Sequence, residues 1–300
     1  MTSVSTSAFY ERFNLDQTAL RSRAEALQAA IGSGNRLGRS SDDPVASSRL
    51  RSLGRADAFA AVDQTLSARA SSDLMLTDSA LQSFADSVIR VQELATQAAN
   101  GVLTPAQRAG IATEIEQISG ELVRLANTRD SAGHALFGGD TPGDAYVLDA
   151  GGNAVYIGTA SASDLPLGDG QSVTRGLTGP EFLNFGATNL FALVKGLAAE
   201  LAGAAADPAQ AARDALGALD TGLETITTQQ TVIGTRLNWI DLTTERRTQM
   251  GELRADEQAD VGGTDLAEAV SKLQQTMTVL EASQASFARL SSLSLFDFLR

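Results

Sequence analysis

Apolar residues recur along most of this chain at alternating steps of three and four. Near the start, Leu20, Ala24, Leu27 and Ile31 fall on one face, and Phe9 and Phe13 extend the stripe toward the N-terminus. That period belongs to one side of an α-helix. The stripe breaks at Gly32-Ser33-Gly34 and resumes after Ser40-Ser41-Asp42-Asp43-Pro44. The latter is a helix-start signal. Asp43 can cap the free amides of a first turn, and Pro44 at the first helical position gives up an N–H that has no partner there. Gly54 is the one glycine between Pro44 and Asn100, and no further proline interrupts the stretch. Its later part carries Leu81, Phe84, Val88, Val91, Ala95 and Ala98 on one face, so a single helix about 85 Å long is predicted at ~1.5 Å per residue. Asn100-Gly101 stops it. Thr104-Pro105 opens the next helix, with a seam of Ile111, Ile115, Ile118, Leu122 and Leu125. The short turn between the two predicts an antiparallel pair.

From about Gly133 to Gly186 the helical period is lost and glycine is frequent. Tyr146-Val147-Leu148 and Val155-Tyr156-Ile157 flank Asp149-Ala150-Gly151-Gly152-Asn153, which reads as strand, tight turn, strand. Ser172-Val173-Thr174 is a further candidate strand. Helix returns near Asn189 with Phe191, Val194, Leu197 and Leu201. Asp207-Pro208 then caps a long helix with a seam of Leu216, Leu219, Leu223, Ile226, Gln230, Ile233, Leu237 and Ile240. Gln230 is its one polar member, of the kind that fixes register at a cost in stability. Gly262-Gly263 interrupts, and Asp265 with Glu268 forms a candidate capping box. The last helix carries Leu266, Val270, Leu273, Met277, Leu280 and Phe287, with Gln284 in the same stripe, and the chain closes on Leu293, Leu295, Phe296, Phe298 and Leu299.

The fold expected from this layout is mainly α, with long antiparallel helices or a coiled coil from both chain ends and a small β-rich insertion in the middle. Three parts follow: terminal coiled-coil helices over 1–42 and 262–300, a helical rod over 43–131 and 208–261, and a β-rich variable insertion with a short helix over 132–207. The rod helices can bury their stripes against each other within one chain. The ends hold too little other core to cover theirs, so they must pair with each other or with neighbouring subunits. The residues expected to form this assembly seam are Leu20, Leu27, Ile31, Leu266, Val270, Leu273, Met277, Leu280, Phe287, Leu295, Phe296 and Phe298. Asp42, Asp43 and Pro44 form the helix-start motif. The insertion, lying between helices whose seams are complete without it, is expected to be dispensable over roughly 140–180 for export and for joining the rod.

Composition narrows the function. Aromatic residues make up only 5% of the 300 residues, whereas compact enzyme cores use more large rings. The net charge of −13 and pI of about 4.5 argue against nucleic acid as a partner, because phosphate neutralisation needs clustered Lys and Arg. No apolar run approaches the ~20 residues of a membrane span. The first residues carry neither a basic nor an apolar leader region, so any export is expected to proceed without a cleaved signal peptide. There is no cysteine, which excludes disulfides and thiolate chemistry. His134 is the only histidine and has no ligand partners at metal spacing. Asp42-Asp43 reads as a cap before a cation site. Gly138-Gly139 and Gly151-Gly152 lack a phosphate-cradle context. Asp140, Asp144, Asp149, Asp164 and Asp169 read as solvation of the insertion. No cofactor and no catalytic set is expected, and the chain is not read as an enzyme.

Three stretches resemble one family. Ile31-Gly-Ser-Gly-Asn-Arg-Leu-Gly-Arg-Ser-Ser-Asp-Asp-Pro44 is similar to the signature after the first helix of flagellar hook-associated proteins of type 3, in the flagellin superfamily. Asp265 to Gln275, with Ala285 to Leu299, resembles that family's C-terminus, and Leu136-Phe137-Gly138-Gly139 fits its entry into the insertion. Flagellins are similar in the first helix but typically carry Asp-Asp-Ala where this chain has Asp42-Asp43-Pro44. The resemblance implies a flagellin-like fold whose terminal helices form an inner coiled-coil tube. It implies a hook–filament junction subunit that assembles with itself in a ring, between hook-associated protein type 1 and flagellin. It also implies secretion through the flagellar type III export apparatus with an export chaperone. The alternatives are flagellin itself and a secreted type III helical binding module.

Overall fold

The computed structural model describes residues 6–130, 132–168, 170–186 and 188–298. The chain divides into two compact units, residues 60–248 and residues 1–59 with 249–300. Two long helices, α2 (Pro44–Ala99) and α6 (Pro208–Gly262), contribute to both.

The unit of residues 60–248 holds the main core. Leu81, Phe84, Val88 and Val91 of α2 are buried with Leu219, Ile226, Ile233 and Ile240 of α6, as their seams require. Helix α3 (Pro105–Ala126) adds Ile115 and Leu122. Its start is a complete capping box: the Thr104 hydroxyl accepts the Gln107 amide at 3.3 Å, and the Gln107 side chain accepts the Thr104 amide at 2.9 Å. Helix α6 starts where Asp207 accepts the Ala209 and Gln210 amides, each at 3.1 Å. Gln230, the polar break in the α6 seam, donates to Gln82 Oε1 of α2 at 3.3 Å.

Between α3 and α6, among the described residues, lie three antiparallel hairpins, two short α-helices and a π-helical turn over Glu200–Ala204. Strand β1 (Tyr146–Leu148) pairs with β2 (Ala154–Tyr156), matching Tyr146 to Tyr156. The sequence placed the second strand one residue later. Strand β3 (Asp164–Gly168) pairs with β4 (Gln171–Thr174), and β5 (Asn184–Phe185) with β6 (Thr188–Asn189). Sequence reading found β4 but not β3, because Pro166 counts against a strand, although a two-stranded ribbon tolerates proline at an edge. It also missed α4 (Gly179–Leu183), too short to show a period. Helix α5 (Leu190–Ala199) begins at Asn189, whose side chain accepts the Ala192 amide at 2.8 Å.

The expectation that the seams of the long helices are complete without 140–180 is corrected. Phe137, Ala145, Tyr146, Leu167, Val173, Leu177, Phe182 and Phe185 are all buried in the same core as Phe84. Phe84 meets Phe182 and Phe137 edge-on, with centroids 5.1 and 5.9 Å apart. The α2 and α6 seams face inward, but their core is closed from the side by the insertion.

In the other unit, α1 (Thr6–Ser33) pairs with α7 (Leu266–Phe298). Phe13 stacks on Phe287 with centroids 3.8 Å apart, Tyr10 meets Phe287 edge-on at 5.4 Å, and Gln17 donates to Ser283 Oγ at 3.0 Å. Gly34, at φ +71°, turns the chain out of α1. The Thr264 amide then reaches Gly34 O at 2.9 Å, and the Arg36 amide reaches Gly262 O at 2.8 Å. Asp265 caps α7 through the Glu268 amide at 3.0 Å. The Glu268 carboxylate, expected to complete a box, turns to Lys272 Nζ at 2.7 Å instead.

Candidate assembly surface

The helix-start motif is a joint between the two ends of the chain. Asp43 Oδ1 accepts the Ala46 amide at 3.0 Å, and Asp42 Oδ2 accepts the Arg39 amide at 2.7 Å. The cap bond from Ala46, with Arg36 beside it, holds the Asp43 carboxyl below the usual carboxylate value. Arg36 bridges Asp43 Oδ2 at 3.4 Å and Val261 O at 2.9 Å, linking the start of α2 to the end of α6. Pro44 is the first residue of α2. Two turns on, Arg49 holds Glu257 through Nε and Nη2 at 2.5 and 2.8 Å. Asp57 accepts Arg254 Nε and Gln258 Nε2, both at 2.6 Å. Sequence reading saw the cap but not Arg36, whose role depends on a carbonyl 225 residues away.

The α1 side of the seam matches its pattern. Leu20, Leu27 and Ile31 are half-buried along one face, and Gln17 and Ala24 are buried between them. The α7 side differs from expectation. Its inward stripe is Ala269, Leu273, Thr276, Leu280, Ser283 and Phe287, of which Ala269 and Thr276 are buried and the rest half-buried. Leu266, the first residue of α7, lies one heptad before Leu273 but past the end of α1 and remains 54% exposed; Val270 and Met277 lie beside this face at 41% and 38%, and Gln284 is exposed with them. The expected single stripe is therefore two adjacent faces. Reading large apolar residues alone passed over Ala269, Thr276 and Ser283, small residues that let the helices approach closely. The outer face of this unit also leaves Leu15 and Val279 exposed. The side chains of Phe9, Leu295, Phe296 and Phe298, and all of Leu299, lie outside the described residues, as does Asp169.

Among the described residues, no three His, Asp or Glu side chains are placed to hold a metal ion, and no helix is long and apolar enough to cross a membrane.

Comparison with known proteins adds four matches. Residues 4–141 match the family described as the bacterial flagellin N-terminal helical region. Flagellar hook-associated protein 3 of Escherichia coli K12 is 26% identical over 287 residues, covering 89% of this chain and 90% of that protein. The protein of the same description from Salmonella typhimurium LT2 is 25% identical over 320 residues, covering 99% of each. Among solved structures, a flagellar hook-associated protein from Vibrio parahaemolyticus matches with a TM-score of 0.69 at 26% identity, over 74% of this chain and 100% of that one.

Proposed function

We infer that this chain, which belongs to the flagellin superfamily in its hook-associated protein 3 branch, is a flagellar structural adaptor that polymerises through its terminal helices. It is a component of the flagellum, located outside the cell, and its family is one of structural proteins. The observation that carries the assembly reading is the uncovered apolar face of α7. Leu266, Val270 and Met277 stand exposed while the neighbouring stripe is already used against α1. A run of large apolar side chains left to water marks an interaction surface. Residues 1–42 and 262–300 are assigned to assembly, 43–131 and 208–261 to the rod, and 132–207 to the variable part, here built into the rod's core.

In this reading the subunit forms a ring with copies of itself, seated on hook-associated protein type 1 and carrying the first flagellin. It leaves the cell through the flagellar export apparatus with a chaperone and without a cleaved leader. The experiment is electron microscopy of a strain lacking the gene, complemented with variants. Bare hooks with flagellin released to the medium support the junction role. Hooks with no free flagellin at all would make the chain the filament subunit instead. Replacing Leu266, Val270 and Met277 together by Asp is expected to leave secretion intact and abolish attachment. Normal filaments on that variant would remove the α7 outer face from the assembly reading.

A further inference from the structure

The strongest unexplained feature outside the assembly surface is a buried charge imbalance in the unit of residues 60–248. Asp73, midway along α2, is 3% exposed, and neither of its carboxylate oxygens has a hydrogen-bond partner among the described residues. The cation beside it, Arg175 Nε just after β4, stands 3.6 Å away, beyond hydrogen-bonding distance. Arg175 gives its good contact to a second buried carboxylate, Asp130 Oδ2, at 2.8 Å. Asp130 Oδ1 already accepts the amides of Ala132 and His134, each at 2.8 Å. His134 Nδ1, also without a hydrogen-bond partner among the described residues, is 3.5 Å from Asp130 Oδ2. Asp73, Asp130, His134 and Arg175 line one cavity of about 30 Å³. The remaining charges nearby are Arg69, one turn earlier on α2, Asp140 on the insertion, and Arg236 of α6, which donates to Gly176 O at 2.6 Å.

We propose that this cluster is a proton-operated latch, fastening the loop after α3 and the end of β4 to α2 more firmly when Asp73 carries a proton. With Asp73 ionised, two carboxylates share one guanidinium, and the better-placed one takes it. The excess charge then sits buried, with its nearest cation beyond hydrogen-bonding distance, and an incompletely paired buried charge costs several kcal/mol. A proton on Asp73 removes that charge, breaks no hydrogen bond and leaves the Arg175–Asp130 pair whole. Burial, with the charge of Asp130 adding to it, accordingly raises the Asp73 carboxyl above its ordinary value, against the pull of Arg175. A carboxyl raised in the folded state contributes stability that is fully present below the unfolded value and lost as pH climbs through the folded one. Asp130 runs oppositely. Burial works against its charge, but the amides of His134 and Ala132 and the His134 ring hold it below the ordinary value. The latch thus tightens in mild acid, before Asp130 is itself protonated.

The test uses the full chain and Asp73→Asn, which removes the charge and keeps the shape, with Asp86→Asn on the exposed side of α2 as control. At pH 7, Asp73→Asn is expected to raise Tm. It should also slow the opening that exposes the Ala132 and His134 amides to hydrogen exchange by about tenfold for each unit by which Asp73 is raised. The difference from wild type should shrink toward zero as pH falls to the ordinary carboxylate range near ~4. Asp86→Asn should shift neither measurement. A lower Tm for Asp73→Asn at pH 7, failure of that variant to fold, or a gain independent of pH would each overturn the latch, since the charge would then be satisfied.

Discussion

Gly168 is a residue whose backbone and surroundings both exclude a side chain. It sits at φ +86°, and a side chain there would collide with the Asp63 carboxylate of α2. The close approach has a purpose. Next to it Leu167 is fully buried, its carbonyl accepts from Arg247 of α6, and Gln171 Oε1 accepts from Thr243 at 3.2 Å. The β3–β4 turn is thus held by both long helices. Gly168→Ala must meet strain and a clash together, and is expected to cost about 1–3 kcal/mol. Gly170→Ala, also at positive φ but with open space around it, should cost only the backbone strain of ~1–2 kcal/mol. Thermal unfolding of the two variants, side by side, checks the order. The clash at Gly168 was not legible in the sequence, because it depends on Asp63, more than a hundred residues away.

The α1–α7 pair shows what an element-level pattern does and does not specify. Phe13 opposite Phe287 and Gln17 opposite Ser283 set an antiparallel register. Continued along both helices, it places Leu20 against Leu280, Ala24 against Thr276, Leu27 against Leu273 and Ile31 against Ala269. Gln17 is buried and bonded twice, giving to Ser283 Oγ and receiving from Gln284 Nε2 at 3.3 Å. A buried polar residue in a seam selects register at a cost in stability. Gln17→Leu is therefore expected to raise the stability of the pair and to admit shifted registers. The chain has no cysteine of its own, so disulfide trapping between pairs introduced along the seam can report this. A single trapped register in Gln17→Leu would remove that role. Leu273→Asp, on the α1-facing stripe, is expected to part α1 from α7 by placing a charge in the seam, a loss of several kcal/mol, visible as lost helicity of the terminal unit. Lys272→Glu, at the half-exposed rim of the groove that Lys272 shares with Arg23 and Ala26, should be far milder.

At the scale of the molecule, the insertion is part of the core. Exchanging 140–180 for a short Gly-Ser linker removes the buried side chains of Ala145, Tyr146, Leu167, Val173 and Leu177 and uncovers Phe84, Phe137 and Phe182. Large-to-small truncation of one such residue costs about 2–5 kcal/mol, and an ordinary domain has only about 5–15 kcal/mol of net stability. The exchanged chain is expected to lose cooperative unfolding and near-UV signal from the unit of residues 60–248. Retention of a wild-type transition would mean that α2, α3 and α6 close their core unaided.

By itself the sequence determined the long helices, their caps and their order, because these depend on local period and on side chains within a turn of one another. Asp43 before Pro44, Thr104 before Pro105, and Asp207 before Pro208 act within a turn and could be read directly. The family resemblance lay in the same local motifs. Only the tertiary structure decided which of two adjacent α7 faces turns to α1. A stripe of large apolar residues gives direction only to within about one position, and small residues such as Ala269 and Ser283 carry the contact. Only it revealed Arg36 as a clasp, the insertion as the side wall of the core, and the meeting of Asp73, Asp130, His134 and Arg175. Those depend on partners tens to hundreds of residues apart, a distance over which neither period nor capping carries information.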